Sequence, residues 1–173
     1  MKYTKMYRWL ALPFLLLTAT GLLLLGQACN PAQVSMSPTS QTVAPGQTFD
    51  IEVLVDAKGA AIAGAQFDLS FDPSLLTAIS VTEGNLLSQG GCDTFFLPGK
   101  IDNVAGTITG FACVIITPGG TVKSSGTLAR ITFSAGTTAG TSALTLSNVI
   151  VGNKAGTKQF VSVAMANVTV SAK

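Results

Sequence analysis

The stretch AQFDLSFDPSLL, residues 65–76, decides the fold. Ala65, Phe67, Leu69 and Phe71 alternate with Gln66, Asp68 and Ser70, the two-residue period of a strand with one face buried. Asp72-Pro73-Ser74 then supplies turn chemistry, because proline removes a ladder donor while Asp and Ser bond nearby backbone N–H groups. The same period recurs on both sides of this stretch. Phe49, Ile51, Val53 and Val55 alternate with Asp50, Glu52, Leu54 and Asp56, and Ala129, Ile131 and Phe133 alternate with Arg130 and Thr132. The apolar members are the expected core.

Turn signals separate these runs at short intervals: Ala44-Pro45-Gly46, Lys58-Gly59, Glu83-Gly84-Asn85, Pro98-Gly99, Pro118-Gly119-Gly120, Ala139-Gly140 and Gly152-Asn153. No stretch of the body carries a capped helical stripe, and strands do not alternate with helices. The pattern predicts an all-β, antiparallel two-sheet sandwich of about eight or nine strands.

Residues 1–29 read as an export leader: basic Lys2, Lys5 and Arg8, an apolar run from Trp9 through Leu25, then Gly26-Gln27-Ala28-Cys29. Three outcomes stay open. The tetrapeptide is similar to a loose bacterial lipobox with Cys29 as the lipidated first mature residue, although Gly26 stands where a leucine is usual. Gly26 and Ala28 also suit an ordinary signal peptidase, and the apolar run is long enough to approach a spanning anchor. The sequence favours the lipoprotein; all three place the body outside the cytoplasm, at the cell surface or secreted. Residues 30–40, rich in Pro, Ser, Thr and Gln, are the expected short tether and start of the first strand, and residues 34–173 the expected domain.

Composition removes several functions. Of 173 residues, ten are Lys or Arg and eight Asp or Glu; without the three leader cations, seven face eight, so the body is near neutral. That gives no basic footprint for nucleic acid. No histidine occurs, which excludes a histidine base, a Ser/His/Asp triad and a His-ligated zinc. Paired carboxylates for glycoside hydrolysis would be Asp50 with Glu52 or Asp68 with Asp72, yet each pair lies along one strand or its turn and reads as a solvated face. Asp102-Asn103 reads as a turn and not a calcium loop. No catalytic or metal site is expected. Trp9, Tyr3 and Tyr7 all lie in the leader, so only Phe could stack on a sugar in the body, which weakens a polysaccharide-binding reading.

The segment Asp93-Thr94-Phe95-Phe96-Leu97, the region Lys100 to Gly106 and Thr107 to Ile116 read as a hairpin. A turn centred near Asp102 and Asn103 would set Cys92 opposite Cys113, a bridge worth about 3 kcal/mol on a loop-entropy argument; two small buried thiols are the other reading. If Cys92, Phe96 and Cys113 point inward, Asp93, Phe95 and Leu97 point outward beside Ala112 and Val114, near Gln66 and Asp68. Such an outer face is a candidate protein-docking patch; a strand buried on both faces under Gly120 to Ser125 is its rival.

The run from Ala65 to Leu76, continued by Ile79-Ser80-Val81-Thr82-Glu83-Gly84-Asn85-Leu86-Leu87, resembles the signature stretch of cohesin domains. Val34 to Asp56 and Ile131 to Val170 are similar as well, so the resemblance spans the whole body. It implies a nine-strand jelly-roll that binds a dockerin, a calcium-loaded module on another protein, such as a glycoside hydrolase in a cellulosome. Calcium would belong to that partner, and this chain needs no cofactor. The resemblance places the partner-facing positions at Gln66, Asp68, Asp93, Leu97, Ala112 and Val114. Gly64 and Gln66 stand where family members carry Asn and Asp, which alters the polar half of that interface.

Overall fold

The computed structural model describes residues 31–172; the leader and Cys29 lie outside the described residues. Twelve strands follow in order: β1 Ala32–Ser37, β2 Ser40–Val43, β3 Thr48–Asp56, β4 Gly64–Ser70, β5 Leu76–Glu83, β6 Thr94–Leu97, β7 Lys100–Asp102, β8 Thr107–Ile115, β9 Ser125–Ala135, β10 Gly140–Gly152, β11 Val161–Val163 and β12 Ala166–Val170. Among the described residues there is no α-helix, only a short 3-10 turn at Gln89–Gly91.

The strands form two packed sheets. The five-stranded sheet runs β11-β1-β3-β9-β5, and the seven-stranded sheet runs β2-β12-β10-β4-β8-β6, with β7 also on β8. Pairing is antiparallel except at β1/β11 and β2/β12. The all-β sandwich is therefore the expected one, and the strand count follows from two interruptions. β1 and β2 are one run that changes sheet at Pro38, and β6 and β7 are one run broken at Pro98-Gly99, where a ladder donor is missing. Merging those two pairs and setting aside the three-residue β11 leaves nine principal strands.

The core lies between the sheets and takes the apolar members of each alternating run. Phe49, Ile51 and Val53 of β3 pair with Phe133, Ile131 and Ala129 of β9, Val55 follows opposite Gly126, and all these apolar side chains are buried. On the other sheet, Phe67 stacks on Phe111 with ring centroids 4.2 Å apart, and Phe96 meets Phe111 edge-on at 5.7 Å. Phe71 bridges the layers by packing edge-on against Phe133 at 5.4 Å. The turn that follows Phe71 is held by Asp72, whose Oδ1 accepts from Ser74 N–H and Ser74 Oγ–H. Those two donors keep the Asp72 carboxyl below its ordinary pKa.

The β7–β8 hairpin corrects one expectation. Its turn is Asn103–Gly106, not a turn centred on Asp102-Asn103. Asp102 ends β7 and caps the turn: its Oδ1 accepts N–H bonds from Ala105 at 2.9 Å and Val104 at 3.0 Å. Asn103 reaches away to β5 and exchanges two bonds with the backbone of Ala78. The centre moves by two residues, so every partner across the ladder moves by four.

Candidate functional site

That register undoes the expected disulfide. Phe96, not Cys92, lies opposite Cys113, and Thr94 lies opposite Ile115. Continuing the pairing sets Cys92 against Thr117, four residues or about 13 Å along the strand from Cys113, beyond the reach of a bridge. Both cysteines are free thiols, Cys92 half-buried and Cys113 buried. Burial first, then the hydrogen bond and negative charge of Glu83, push the Cys113 thiol up to about 12. Glu83 also accepts a 2.6 Å bond from Thr94 Oγ.

A shift of four is even, so it leaves each side chain on its expected face. Phe95 and Leu97 point outward at 54% and 45% exposure, while Phe96 packs on the core. Two cross-strand rows result on the outer face of the seven-stranded sheet. Leu97, Ala112, Gln66 and Ile150 form one; Phe95, Val114, Gly64 and Gly152 form the next. At about 4.8 Å per strand, each row is about 14 Å wide. Val114 at 41% and Ile116 at 59% extend the apolar surface. The two glycines leave a trough beside Val114: a Cβ on Gly64 would lie 2.9 Å from Val114 Cγ1, whereas one on Gly152 would meet only the Thr157 carbonyl oxygen at 3.9 Å. The Gly120 to Ser125 loop leaves Phe95, Leu97 and Val114 exposed, and only its first residue, Gly120, borders the trough. A Cβ on Gly120 would meet Ile115 and Cys92, whose side chains are on the other side of the sheet from Val114.

The expected residues do not all have the same role. Gln66 and Asp93 are exposed, Ala112 is half-buried, and Phe95, Leu97 and Val114 stand out from the sheet. Asp68 is committed internally. It lies between two ladder irregularities, one on β8 between Phe67 and Leu69 and one on β10 between Ser147 and Ile150. Its Oδ1 accepts Gly110 N–H at 2.7 Å and its Oδ2 accepts Asn148 Nδ2–H at 2.6 Å. The carboxylate thus replaces ladder bonds that both bulges remove. Ile116 and Ile150 belong to the face although the sequence reading passed over them. Ile116 was visible as the next outward step after Ala112 and Val114; Ile150 was not, because the bulge at Asn148 shifts the parity of β10.

The acidic pairs weighed for hydrolysis have other partners. Glu52 forms a 2.7 Å ion pair with Arg130, and Asp50 accepts from Thr132 Oγ at 2.7 Å, both on the outer face of the five-stranded sheet. Among the described residues no group of three His, Cys, Asp or Glu side chains is placed to hold a metal ion.

The family model described as Cohesin domain matches residues 34–172. No curated protein matches the chain. Solved structures do. The sixth cohesin from scaffoldin B of Acetivibrio cellulolyticus, in complex with a mutant Cel5 dockerin, is 17% identical, with a TM-score of 0.65 over 82% of this chain and 100% of that one. The OlpC cohesin of a type I cohesin–dockerin complex from Clostridium thermocellum is 13% identical, TM-score 0.65, covering 83% and 95%. A non-cellulosomal cohesin from the hyperthermophilic archaeon Archaeoglobus fulgidus is 15% identical, TM-score 0.63, covering 83% and 93%. At these identities the likeness is one of fold.

Proposed function

The chain belongs to the cohesin domain family, and from that premise we propose that it is a non-catalytic adaptor that binds a dockerin-bearing protein through the outer face of β6, β8, β4 and β10. The observation that carries this reading is the pair of rows in which Phe95, Leu97 and Val114 stand exposed beside the Gly64–Gly152 trough. A largely apolar centre that includes Gln66, with Asp68 and Asp93 at its margins, has the composition of a protein interface, with anchors in the middle and a polar rim. Gly64 and Gln66 make the middle of this face less polar than the family pattern, so partner choice rests more on Phe95 and Leu97. The partner carries the calcium and, in this reading, a polysaccharide-degrading enzyme such as a glycoside hydrolase. Cys29, lipidated, would hold the adaptor at the outer face of the membrane.

Calorimetric titration of the chain lacking residues 1–29 with the host's dockerin-like modules tests the reading. Binding in calcium that disappears with excess chelator is expected. Absence of binding to every such module, with the sandwich intact by circular dichroism, would overturn it.

A further inference from the structure

The chain enters the sandwich at β1, and β11 pairs with β1 in parallel, Ala32 opposite Val161. One step earlier, Phe160 lies level with Pro31, the first of the described residues. Phe160 is 86% exposed. This end of the molecule also collects the loops after β3, β8 and β10, because Asp56 pairs with Ser125 and Gly64 with both Val114 and Gly152. Those loops carry Lys58, Lys123, Lys154 and Lys158, four of the six cations among the described residues. Lys58 is spent on Asp56 at 2.6 Å. Lys123, Lys154 and Lys158 are exposed and form no ion pair among the described residues. The facing acids are few: Glu83 turns onto Thr94 and Cys113, and Asp93 is the one remaining open carboxylate. The opposite end carries Asp72 and Asp102 in its turns.

We propose that this end, with Phe160 exposed beside the edge strand β11 and Lys123, Lys154 and Lys158 on its loops, rests on an anionic phospholipid bilayer. The proposal rests on the N-terminal anchoring inferred above; Lys154 and Lys158 also border the outer face of β4, β8 and β10, whereas Phe160 lies by β11 on the other sheet. Length argues for it: only residues 26–31 separate Leu25 from Ala32, a span of at most about 25 Å, and Cys29 is three steps or about 10 Å from Ala32. The far end is about 40 Å away along β10. Whichever anchor holds, Phe160 and the three lysines are thus the part nearest the lipid. An aromatic ring with cations at the same end suits the interface, where the ring enters the headgroup layer and the ammonium groups attract acidic lipids. The domain would then stand upright, with the Phe95 face perpendicular to the membrane and open to a partner.

The full chain carrying Trp9→Phe, reconstituted into vesicles, tests this with a single added reporter at Phe160→Trp or, at the far hairpin, Val104→Trp, whose parent side chain is 92% exposed. In phosphatidylglycerol-containing vesicles, the Phe160→Trp emission should shift to the blue and be quenched several-fold more by brominated lipid than the Val104→Trp emission. The shift should fall away in pure phosphatidylcholine and in the Lys123→Glu/Lys154→Glu/Lys158→Glu variant. Equal quenching at the two positions, indifference to lipid charge and to the three lysines, or failure of the chain to float with vesicles would each overturn the proposal. So would a blue shift in detergent that grows with protein concentration, since a second copy would then cover Phe160.

Discussion

Asn148 donates its side-chain amide to Asp68 Oδ2 at 2.6 Å across β4 and β10, eighty residues apart in the chain. Together with the Gly110 N–H on Oδ1, this bond makes Asp68 the joint between two bulges on neighbouring strands. Asp68→Ala should therefore lower unfolding stability by about 1–2 kcal/mol, the scale of hydrogen bonds to a charged group in a half-exposed site. Gln66→Ala, one pleat away and exposed, should stay within about 0.5 kcal/mol of the parent. Urea denaturation of the two variants separates the roles.

Phe95 and Leu97 are the exposed anchors of the face. Phe95→Asp or Leu97→Asp should weaken binding to a verified dockerin partner by at least about 2 kcal/mol, roughly thirtyfold, because a charge would be buried at the centre of the contact. The far-UV spectrum and unfolding midpoint should barely move, since neither side chain packs in the core. Unchanged affinity would remove this face from consideration.

Gly106 and Gly110 both have positive φ, +68° and +75°, but their surroundings differ. A Cβ on Gly106 would lie 2.3 Å from the Phe71 carbonyl oxygen, while one on Gly110 meets nothing within 4 Å. Gly110→Ala should cost about 1 kcal/mol for its backbone conformation alone. Gly106→Ala must also push the β7–β8 turn away from the strand end, and its thermal midpoint should fall clearly further.

The Cys113 thiol ionises near 12 in the folded chain, against an ordinary value of 9.0. The folded state thus holds a proton that the unfolded state releases above about pH 9. Stability from this group is fully present below pH 9 and is lost as pH rises toward 12. Cys113→Ala should flatten that decline in a pH series of denaturation curves. Native thiol titration at pH 8 should find Cys92 reacting ahead of Cys113, and non-reducing mass analysis of the body should find both thiols free.

The sequence by itself determined which side chains face inward. A strand's period is two, so Phe49, Ile51, Val53, Phe67, Ile131 and Phe133 could be assigned to the core without any knowledge of their partners, and Phe95 and Leu97 to the outside. The AQFDLSFDPSLL run carried the family resemblance for the same reason: alternation and an Asp-Pro turn are local. Register was not local. Whether Asp102 sits inside the β7–β8 turn or caps it from the strand end depends on its carboxylate finding the N–H groups of Val104 and Ala105, and on Asn103 finding Ala78 twenty-five residues away. That choice separated Cys92 from Cys113. The face survived the slip only because the slip was even. Likewise, nothing near Asp68 in the chain announces Gly110 or Asn148, and no charge run announces that Lys123, Lys154 and Lys158 meet at one end. Those groups are gathered by loop closure across two sheets, and only the tertiary structure decided it.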